Sequence, residues 1–231
     1  MGLQPQAKVI LASGSPRRKE LLASVGVEFS VRVPEVDETV EAHWSPAEAV
    51  EQLALRKGRA VVDELLRRRS EKAVLQPALP QTGSPRSEAA ASEEPVLVIA
   101  ADTIVVLDGE VMGKPVDAED AVRMLRRLSG REHDVYSGLA VFRVGGTVDA
   151  ASSSEGQVGH LRTAVRFRPL SDDMIRRYVT TGEPLDKAGA YAIQGLGATL
   201  VEGIDGDYFT VVGMPLVLLA RFLEDWGYRL F

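Results

Sequence analysis

The chain has 231 residues, 45% of them hydrophobic, which is enough apolar material for a folded core and excludes a wholly disordered chain. Its formal net charge of −6 argues against bulk nucleic-acid binding, and the absence of cysteine excludes disulfide scaffolds and thiolate zinc sites. The three histidines are far apart in sequence, so we expect neither a histidine-rich metal site nor a Ser-His-Asp triad.

The sequence also bears on the compartment of the protein. No stretch approaches the roughly 18 consecutive apolar residues of a membrane span, and the N-terminus lacks the apolar core of a signal peptide. The lack of cysteine suits a reducing compartment. We therefore expect a cytoplasmic chain with no membrane partner and no nucleic-acid partner.

The first predicted element is a buried strand that turns directly into a helix. The segment 8–11 is short, apolar and β-branched, as buried strands are. Ser15 is a favourable N-cap residue, and Pro16 suits the first helical position, where its missing N–H costs nothing. Gly26 is expected to end the helix.

The start of this helix is a candidate anion site. A helix N-terminus carries unpaired N–H groups and about half a positive charge. Arg17 and Arg18 would add two guanidiniums there, and Ser13 and Ser15 would add two hydroxyls. The alternative is an ordinary capped helix start exposed to solvent.

An acidic segment and a long helix follow. Residues 29–33 alternate like a strand and lead into the acidic patch 35–38. Ser45 and Glu48 form a capping box, and a helix is predicted from there to about Arg69.

One lysine falls on the apolar face of this predicted helix. Lys57 shares the helical spacing of the apolar residues Val50, Leu53, Ala54 and Val61. Such a lysine either snorkels or pairs with a carboxylate, or its ammonium points to a phosphate or an acidic cluster.

The next segment differs in composition from the rest of the chain. Residues 67–95 contain four of the 12 prolines among Ser, Ala, Glu and Gln, and no aromatic residue. The basic run 67–69 is predicted to be a solvated helix end. We expect a single domain over residues 1–231 that carries a low-complexity surface insertion at about residues 70–95.

The continuous apolar run 96–101 predicts a central strand buried on both faces, and Asp102 and Thr103 are expected to end it. Segments 104–107 and 110–112, joined by Asp-Gly, predict a hairpin.

Strands and helices then mix without strict alternation. We predict a helix capped by Asp117, strands near 134–144 and 158–168, a helix from Ser171 to Gly182, two further short strands, and a helix from Pro215 to about Trp226. This pattern is typical of an α/β fold with a mixed sheet.

Asp102 is the strongest candidate for chemistry. An unpaired buried charge is expensive, and ligands of open α/β sheets bind at the carboxyl ends of strands. Its function would be that of a metal ligand or of a general base for water; the alternative is an aspartate that caps a turn.

Other charged residues could act with Asp102. Asp37 and Glu38 supply oxygen ligands of the kind that Mg²⁺ or Mn²⁺ prefers. Four cationic side chains could neutralise phosphate groups: Arg17, Arg18, Lys57 and Lys114. The chain has neither a Walker A sequence nor a Gly-x-Gly-x-x-Gly fingerprint.

A set of motifs in a fixed order resembles the Maf family, the septum-formation-protein-like nucleoside triphosphate pyrophosphatases. The motifs are LASGSPRR at 11–18, DE at 37–38, RK at 56–57, ADT at 101–103, GKP at 113–115, LSG at 128–130, EPLDKAGAY at 183–191, IQG at 193–195 and VVGMPL at 211–216. They extend over about residues 8–220 and are most similar to those of the branch that acts on dTTP and UTP.

The resemblance implies a two-lobed α/β molecule with a long mixed sheet and a deep nucleotide-binding cleft, similar to inosine triphosphate pyrophosphatase and often dimeric. It implies hydrolysis of a nucleoside triphosphate to the monophosphate and pyrophosphate with Mg²⁺ or Mn²⁺.

The resemblance also implies a role for each matching residue. Asp102 would accept the proton of water, and Glu38 would hold the divalent cation with Asp102 as a second ligand. The triphosphate would be bound by Ser13, Arg17, Arg18, Lys57 and Lys114, and the base would be selected by Arg17, Thr103 and Gln194.

Two alternatives stay open at this point. The first is the family branch that prefers 7-methyl-GTP, which differs in the loop that contains Gln194. The second is a nucleotide-binding regulator of cell division with little hydrolysis. In that loop Ala192 and Ala198 stand where the family pattern has glycine.

Overall fold

The computed structural model describes residues 3–75, 94–145 and 154–231. Of the insertion predicted at about 70–95, residues 76–93 lie outside the described residues.

A mixed sheet of seven strands forms the centre of the fold. The strands are β1 (Lys8–Leu11), β2 (Ser30–Val31), β3 (Val96–Leu107), β4 (Glu110–Met112), β5 (Glu132–Val144), β6 (Ser154–Phe167) and β7 (Val201–Asp205). Their order is β2-β1-β3-β5-β6-β7, and β4 pairs with β3. The pairs β1–β2 and β1–β3 are parallel and the others are antiparallel.

Six α-helices surround this sheet in the described part of the chain. They are α1 (Pro16–Ser24), α2 (Pro46–Leu75), α3 (Ala118–Leu128), α4 (Asp172–Thr180), α5 (Tyr208–Val212) and α6 (Leu216–Asp225). Short 3₁₀ segments occupy Glu183–Asp186, Ala188–Ala190 and Gly195–Leu200.

The alternation of side chains along β3 organises the core. Val96, Val98 and Ala100 pack beneath α2, while Leu97 and Ile99 face the opposite side of the sheet. On that opposite side α1 and α6 cover the first half of β3, and α3 and α4 cover the second half. The predicted α/β fold with a long mixed sheet is confirmed.

Several predicted boundaries are wrong. The helix expected to end near Arg69 continues to Leu75, and the predicted strand at 29–33 has only two residues. The second short strand expected before α6 is instead the helix α5, because Asp207 caps it by accepting from the backbone N–H of Thr210. Ser15 makes no side-chain cap at α1.

The most consequential difference concerns Asp102, which does not end a strand. β3 continues through it without a break, and Asp102 pairs with Gly138 of β5 in the ladder. The sequence pattern failed here because a charged residue inside a buried strand requires a partner from elsewhere in the fold, which local spacing does not show.

None of the helices in the described ranges is both long enough and apolar enough to cross a membrane.

Candidate active site

The site lies in a gap along one edge of β3. On this edge β1 pairs with β3 as far as Ile99, and β4 begins to pair at Val105. The loops that follow β1 and β4 both reach the gap between these positions, and they line a cavity of about 770 Å³. The topology of the sheet therefore creates the cleft.

Asp102 lies in the middle of this gap, where it pairs with a lysine of α2. Lys57 Nζ is 2.5 Å from Asp102 Oδ1, and both side chains are nearly buried, with 11% and 12% of their surfaces exposed. A buried carboxylate is tolerated because the ammonium compensates its charge. Of the alternatives that the sequence left open for Lys57, the structure shows pairing with carboxylates.

A glycine allows α2 to approach closely enough for this contact. A Cβ at Gly138 would lie 2.2 Å from the carbonyl oxygen of Val50, about two helical turns before Lys57. Because Gly138 is also the ladder partner of Asp102, the close approach occurs directly beside the carboxylate.

Glu38 completes a three-residue charge cluster. Its Oε1 is 2.9 Å from Lys57 Nζ, although 59% of its side chain is exposed. Burial alone would raise the pKa of Glu38, but the hydrogen bond and charge of Lys57, together with Lys114 and Arg18, outweigh it and lower that pKa. Glu38 is consequently ionised near neutral pH.

Asp37, the neighbouring acid, is not part of this cluster. Its Oδ1 accepts from the backbone N–H of Thr39 at 2.9 Å and from the Thr39 hydroxyl at 2.6 Å. These hydrogen bonds from Thr39 lower the pKa of Asp37. Asp37 shapes the loop and does not line the cavity.

Arg56 was not singled out as a functional residue from the sequence, yet it fixes this loop. Its Nη1 donates to the carbonyl oxygens of Asp37 at 3.2 Å and Thr39 at 2.9 Å, on either side of Glu38. Arg56 and Lys57 are consecutive residues of α2. Arg56 therefore holds the backbone of the acidic loop, while Lys57 holds the Glu38 carboxylate.

Arg18 joins the first strand–helix loop to β3. Its Nε donates to Gly213 O at 2.9 Å, and its Nη1 and Nη2 donate to Ser13 Oγ at 3.3 Å and Thr103 Oγ1 at 3.2 Å. The N–H of Ser15 donates to Ser13 Oγ as well, at 3.2 Å. The predicted anion site is therefore organised by Ser13 and Arg18.

The hydroxyl of Thr103 is engaged in hydrogen bonds within the protein. Its Oγ1 is 2.8 Å from Ser137 Oγ, and the Ser137 hydroxyl donates its single proton to Thr210 O at 2.7 Å. The Thr103 hydroxyl therefore donates its proton towards Ser137 Oγ and Gly213 O, the latter at 3.3 Å, while it accepts from Arg18. The sequence missed Ser137, whose signal was a polar residue within a buried strand.

Two further cations face the cavity without a hydrogen bond or ion pair to the described residues. Arg17 and Lys114 line it, and neither makes a hydrogen bond or ion pair with any residue that the structure describes. Five basic and three acidic side chains line the cavity, although the whole chain has a net charge of −6. The cavity is therefore suited to a polyanion.

Gln194 lies on another wall of the cavity, just before the 3₁₀ segment Gly195–Leu200. Its amide has no hydrogen bond to the described residues, so both its donor and its acceptor are available to a ligand. Lys187 was not singled out from the sequence. It also lines the cavity, and its Nζ donates to Glu183 O and Asp186 Oδ1, each at 2.6 Å.

Glu38 and Asp102 are the residues that could hold a divalent cation. Both carboxylates contact Lys57 Nζ, so they lie near each other, and they supply oxygen donors, which fit Mg²⁺ or Mn²⁺. Within residues 3–75, 94–145 and 154–231 no cluster of three or more His, Cys, Asp or Glu side chains could hold a metal. A cation here would complete its coordination with substrate oxygens and water.

The sequence is similar to known proteins over almost its full length. A dTTP/UTP pyrophosphatase of Moorella thermoacetica is 48% identical, with 96% of each chain covered. Proteins of the same name from Symbiobacterium thermophilum and Pelotomaculum thermopropionicum are 48% and 44% identical, covering 97% and 96% of this chain and 96% and 98% of their own.

A solved structure and a family model also match. The crystal structure of a nucleoside-triphosphatase, a dITP/XTP pyrophosphatase from Mycobacterium abscessus, covers 95% of this chain and 97% of its own, with 17% identity and a TM-score of 0.41. The family model described as Maf-like protein matches residues 8–226. This chain belongs to the Maf family.

Proposed function

We propose that this protein hydrolyses nucleoside triphosphates, with dTTP and UTP preferred, to the nucleoside monophosphate and pyrophosphate. One water molecule is consumed, and the bond between the α- and β-phosphates breaks. The relatives named dTTP/UTP pyrophosphatase support the reaction and the substrates. The observation that carries the proposal is the pairing of buried Asp102 with Lys57 in a cavity lined by uncommitted cations.

The triphosphate binds among the cations of the cavity. Arg17 and Lys114 make no hydrogen bond or ion pair with the described residues, so they can meet the phosphate oxygens without breaking such a contact. Arg18 and Ser13 are already fixed by hydrogen bonds and supply a preorganised surface. Lys57 adds a charge at the buried end.

Asp102 acts as the general base. Water that attacks the α-phosphorus must lose a proton, and a carboxylate within hydrogen-bond reach accepts it. Oδ1 of Asp102 is held by Lys57, while Oδ2 accepts no hydrogen bond from the residues described and is the oxygen that takes the proton. The ion pair with Lys57 fixes the orientation of the carboxylate.

Glu38 and Asp102 would hold the divalent cation, Mg²⁺ or Mn²⁺, which would supply positive charge against the phosphate groups. Glu38 suits this role because it is ionised and half exposed at the mouth of the cavity.

Gln194, Thr103 and Arg17 select the base. An amide offers one acceptor and two donors, which complement the N3–H and the carbonyl oxygens of uracil and thymine. Thr103 contributes through Arg18, because its hydroxyl is engaged within the protein.

We also propose that the chain works in the cytoplasm, as one domain over residues 1–231 and as a homodimer. The absence of cysteine and the resemblance to the family support these proposals. Light scattering coupled to gel filtration measures the assembly; a monomer at micromolar concentration would contradict the dimer.

A substrate panel tests the function. The purified protein is assayed with Mg²⁺ and with Mn²⁺ on dTTP, UTP, CTP, GTP, ATP and 7-methyl-GTP, with pyrophosphate and monophosphate quantified separately. We expect equal amounts of both products, formed fastest from dTTP and UTP. Orthophosphate with a diphosphate would contradict the cleavage position, and fastest turnover of 7-methyl-GTP would contradict the base preference. Binding without hydrolysis of any nucleotide would favour a regulatory protein.

A further inference from the structure

The Glu183 carboxylate lies outside the cavity and accepts hydrogen bonds from the segment that carries Gln194. Glu183 Oε1 accepts from Tyr178 Oη at 2.9 Å and from the backbone N–H of Gly197 at 2.9 Å. Its Oε2 accepts from the backbone N–H of Leu196 at 3.0 Å. Glu183 does not line the cavity, so the structure gives these contacts no direct part in ligand binding.

The segment beside Gln194 fits tightly around this carboxylate. A Cβ at Gly195, whose φ is +66°, would lie 2.8 Å from Glu183 Oε2. A Cβ at Gly197 would lie 2.3 Å from Ala192 O and 2.6 Å from Tyr178 Oη. The backbone on both sides of the carboxylate therefore has little freedom to shift.

Tyr178 extends the same network to the other side of Gln194. Its Oη accepts from the backbone N–H of Ala192 at 3.4 Å while it donates to Glu183. Ala192 lines the cavity. Glu183 and Tyr178 thus hold the chain before and after Gln194.

The main chain of Glu183 reaches a second cavity residue. Lys187 Nζ donates to Glu183 O at 2.6 Å. Glu183, which does not line the cavity, therefore accepts hydrogen bonds both from Lys187 and from the segment that follows Gln194.

We propose that Glu183 is a positioning residue that fixes the backbone around Gln194 and so sets which nucleotide base the cavity accepts. The proposal rests on the proposed function of the site.

The physical reason lies in the geometry of the hydrogen bonds that the Gln194 amide can make. A hydrogen bond weakens steeply when its distance or angle departs from the optimum, so the contacts of the amide with the polar edge of a base depend on where the backbone places it. Discrimination between bases therefore requires that the backbone hold the amide at one distance and angle from the base. Hydrogen bonds to a charged acceptor are the strong ones, so the carboxylate is well suited to this task.

The test variant is Glu183→Gln. Its side-chain amide keeps the shape but places an N–H₂ group against the N–H of Leu196 or Gly197, so one backbone donor loses its acceptor. We expect the preference for dTTP over dCTP, measured as the ratio of kcat/KM values, to fall about tenfold. We expect KM for dTTP to rise by a similar factor and kcat to stay within about threefold, because Glu183 has no contact with Asp102, Lys57 or Arg18.

Two further variants separate positioning from stability. Glu48→Gln removes a carboxylate that accepts from the N–H of Ser45 at 2.8 Å, away from the cavity, and should leave base preference unchanged. Tyr178→Phe removes one of the three hydrogen bonds to the Glu183 carboxylate and should reduce base preference by a smaller factor than Glu183→Gln. If Glu183→Gln does not fold, Tyr178→Phe with wild-type preference overturns the proposal.

Binding of the non-hydrolysable α,β-imido analogues of dUTP and dCTP, measured by calorimetry, provides a readout that does not need turnover. A loss of affinity for the dUTP analogue with little change for the dCTP analogue supports the positioning role. A folded Glu183→Gln protein with wild-type preference in both measurements overturns it. If the wild-type protein hydrolyses no nucleotide, the proposed function fails instead, whatever the variants do.

Discussion

Lys57 and Asp102 form a buried ion pair in which Nζ lies 2.5 Å from Oδ1, and this pair connects the longest helix to the central strand of the sheet. The lysine has a second carboxylate partner, Glu38, at 2.9 Å. A single ammonium therefore holds the proposed base and the proposed metal ligand at one place.

The ion pair predicts a stability effect that is separate from activity. Lys57→Met leaves Asp102 buried and uncompensated, so we expect the free energy of unfolding to fall by about 3–5 kcal/mol. The double variant Lys57→Met/Asp102→Asn removes both charges and should recover much of that loss while it stays inactive. Urea titration checks both values. A double variant as unstable as the single variant would contradict the assignment of the pair.

Asp102→Asn alone tests the general base. The amide oxygen still accepts from Lys57, but the residue no longer takes a proton, so we expect kcat to fall by about 10²–10⁴. Affinity for α,β-imido-dUTP without metal should change little. The matched control is Asp108→Asn in the β3–β4 turn, where the carboxylate pairs with Arg131 at 2.6 Å outside the cavity. Turnover by Asp102→Asn at a wild-type rate would show that Asp102 is not the general base.

The two neighbouring arginines should respond differently to substitution. Arg17 lines the cavity and makes no hydrogen bond or ion pair with the described residues, so Arg17→Gln should leave the melting temperature unchanged and raise KM about tenfold through the lost contact with charged phosphate. Arg18 makes three hydrogen bonds to the protein, so Arg18→Gln should also lower the free energy of unfolding by about 1–3 kcal/mol. Calorimetric melts and steady-state kinetics distinguish the two. Equal stability losses would show that Arg18 is not the structural member of the pair.

Arg56 should act through the acidic loop. Arg56→Gln removes the hydrogen bonds to the carbonyl oxygens of Asp37 and Thr39, so Glu38 loses its fixed position. We expect the Mg²⁺ concentration for half-maximal activity to rise about tenfold, with kcat recovered at saturating Mg²⁺. Arg59→Gln, on the exposed face of the same helix, is the control. An unchanged Mg²⁺ requirement in Arg56→Gln would show that the position of the acidic loop does not affect cation binding.

A buried histidine away from the charge cluster predicts the acid sensitivity of the fold. Burial lowers the pKa of His133 from 6.5 to about 4, and its Nε2 is 2.8 Å from Tyr191 Oη. Between these two pH values the unfolded chain binds a proton that the folded chain does not, so stability falls as the pH drops from 6.5 to 4. The total loss from this group is about 3 kcal/mol.

The control for this histidine is His133→Gln, which keeps a polar partner for Tyr191. Between pH 4 and 6.5 the free energy of unfolding should depend less steeply on pH than in the wild type. The difference in slope should correspond to about one fewer proton taken up on unfolding. Identical slopes would show that His133 does not remain neutral in the folded protein.

The sequence by itself determined most of the elements and most of the candidate residues. The strand at 8–11, the capping box at Ser45, the hairpin at Asp108 and the helix caps at Asp117 and Ser171 are all present, because each depends on neighbours within a few residues. The placement of Lys57 on a buried face followed from helical spacing alone.

Only the tertiary structure decided how these residues meet. The position of Asp102 within β3, the two carboxylates on one ammonium, and the contacts of Arg56, Ser137 and Glu183 all join residues far apart in the chain. Local periodicity reports which face of an element is buried, but not which element covers it. The cleft itself arises because β1 stops at Ile99 and β4 starts at Val105, and that register is set by packing across the whole sheet.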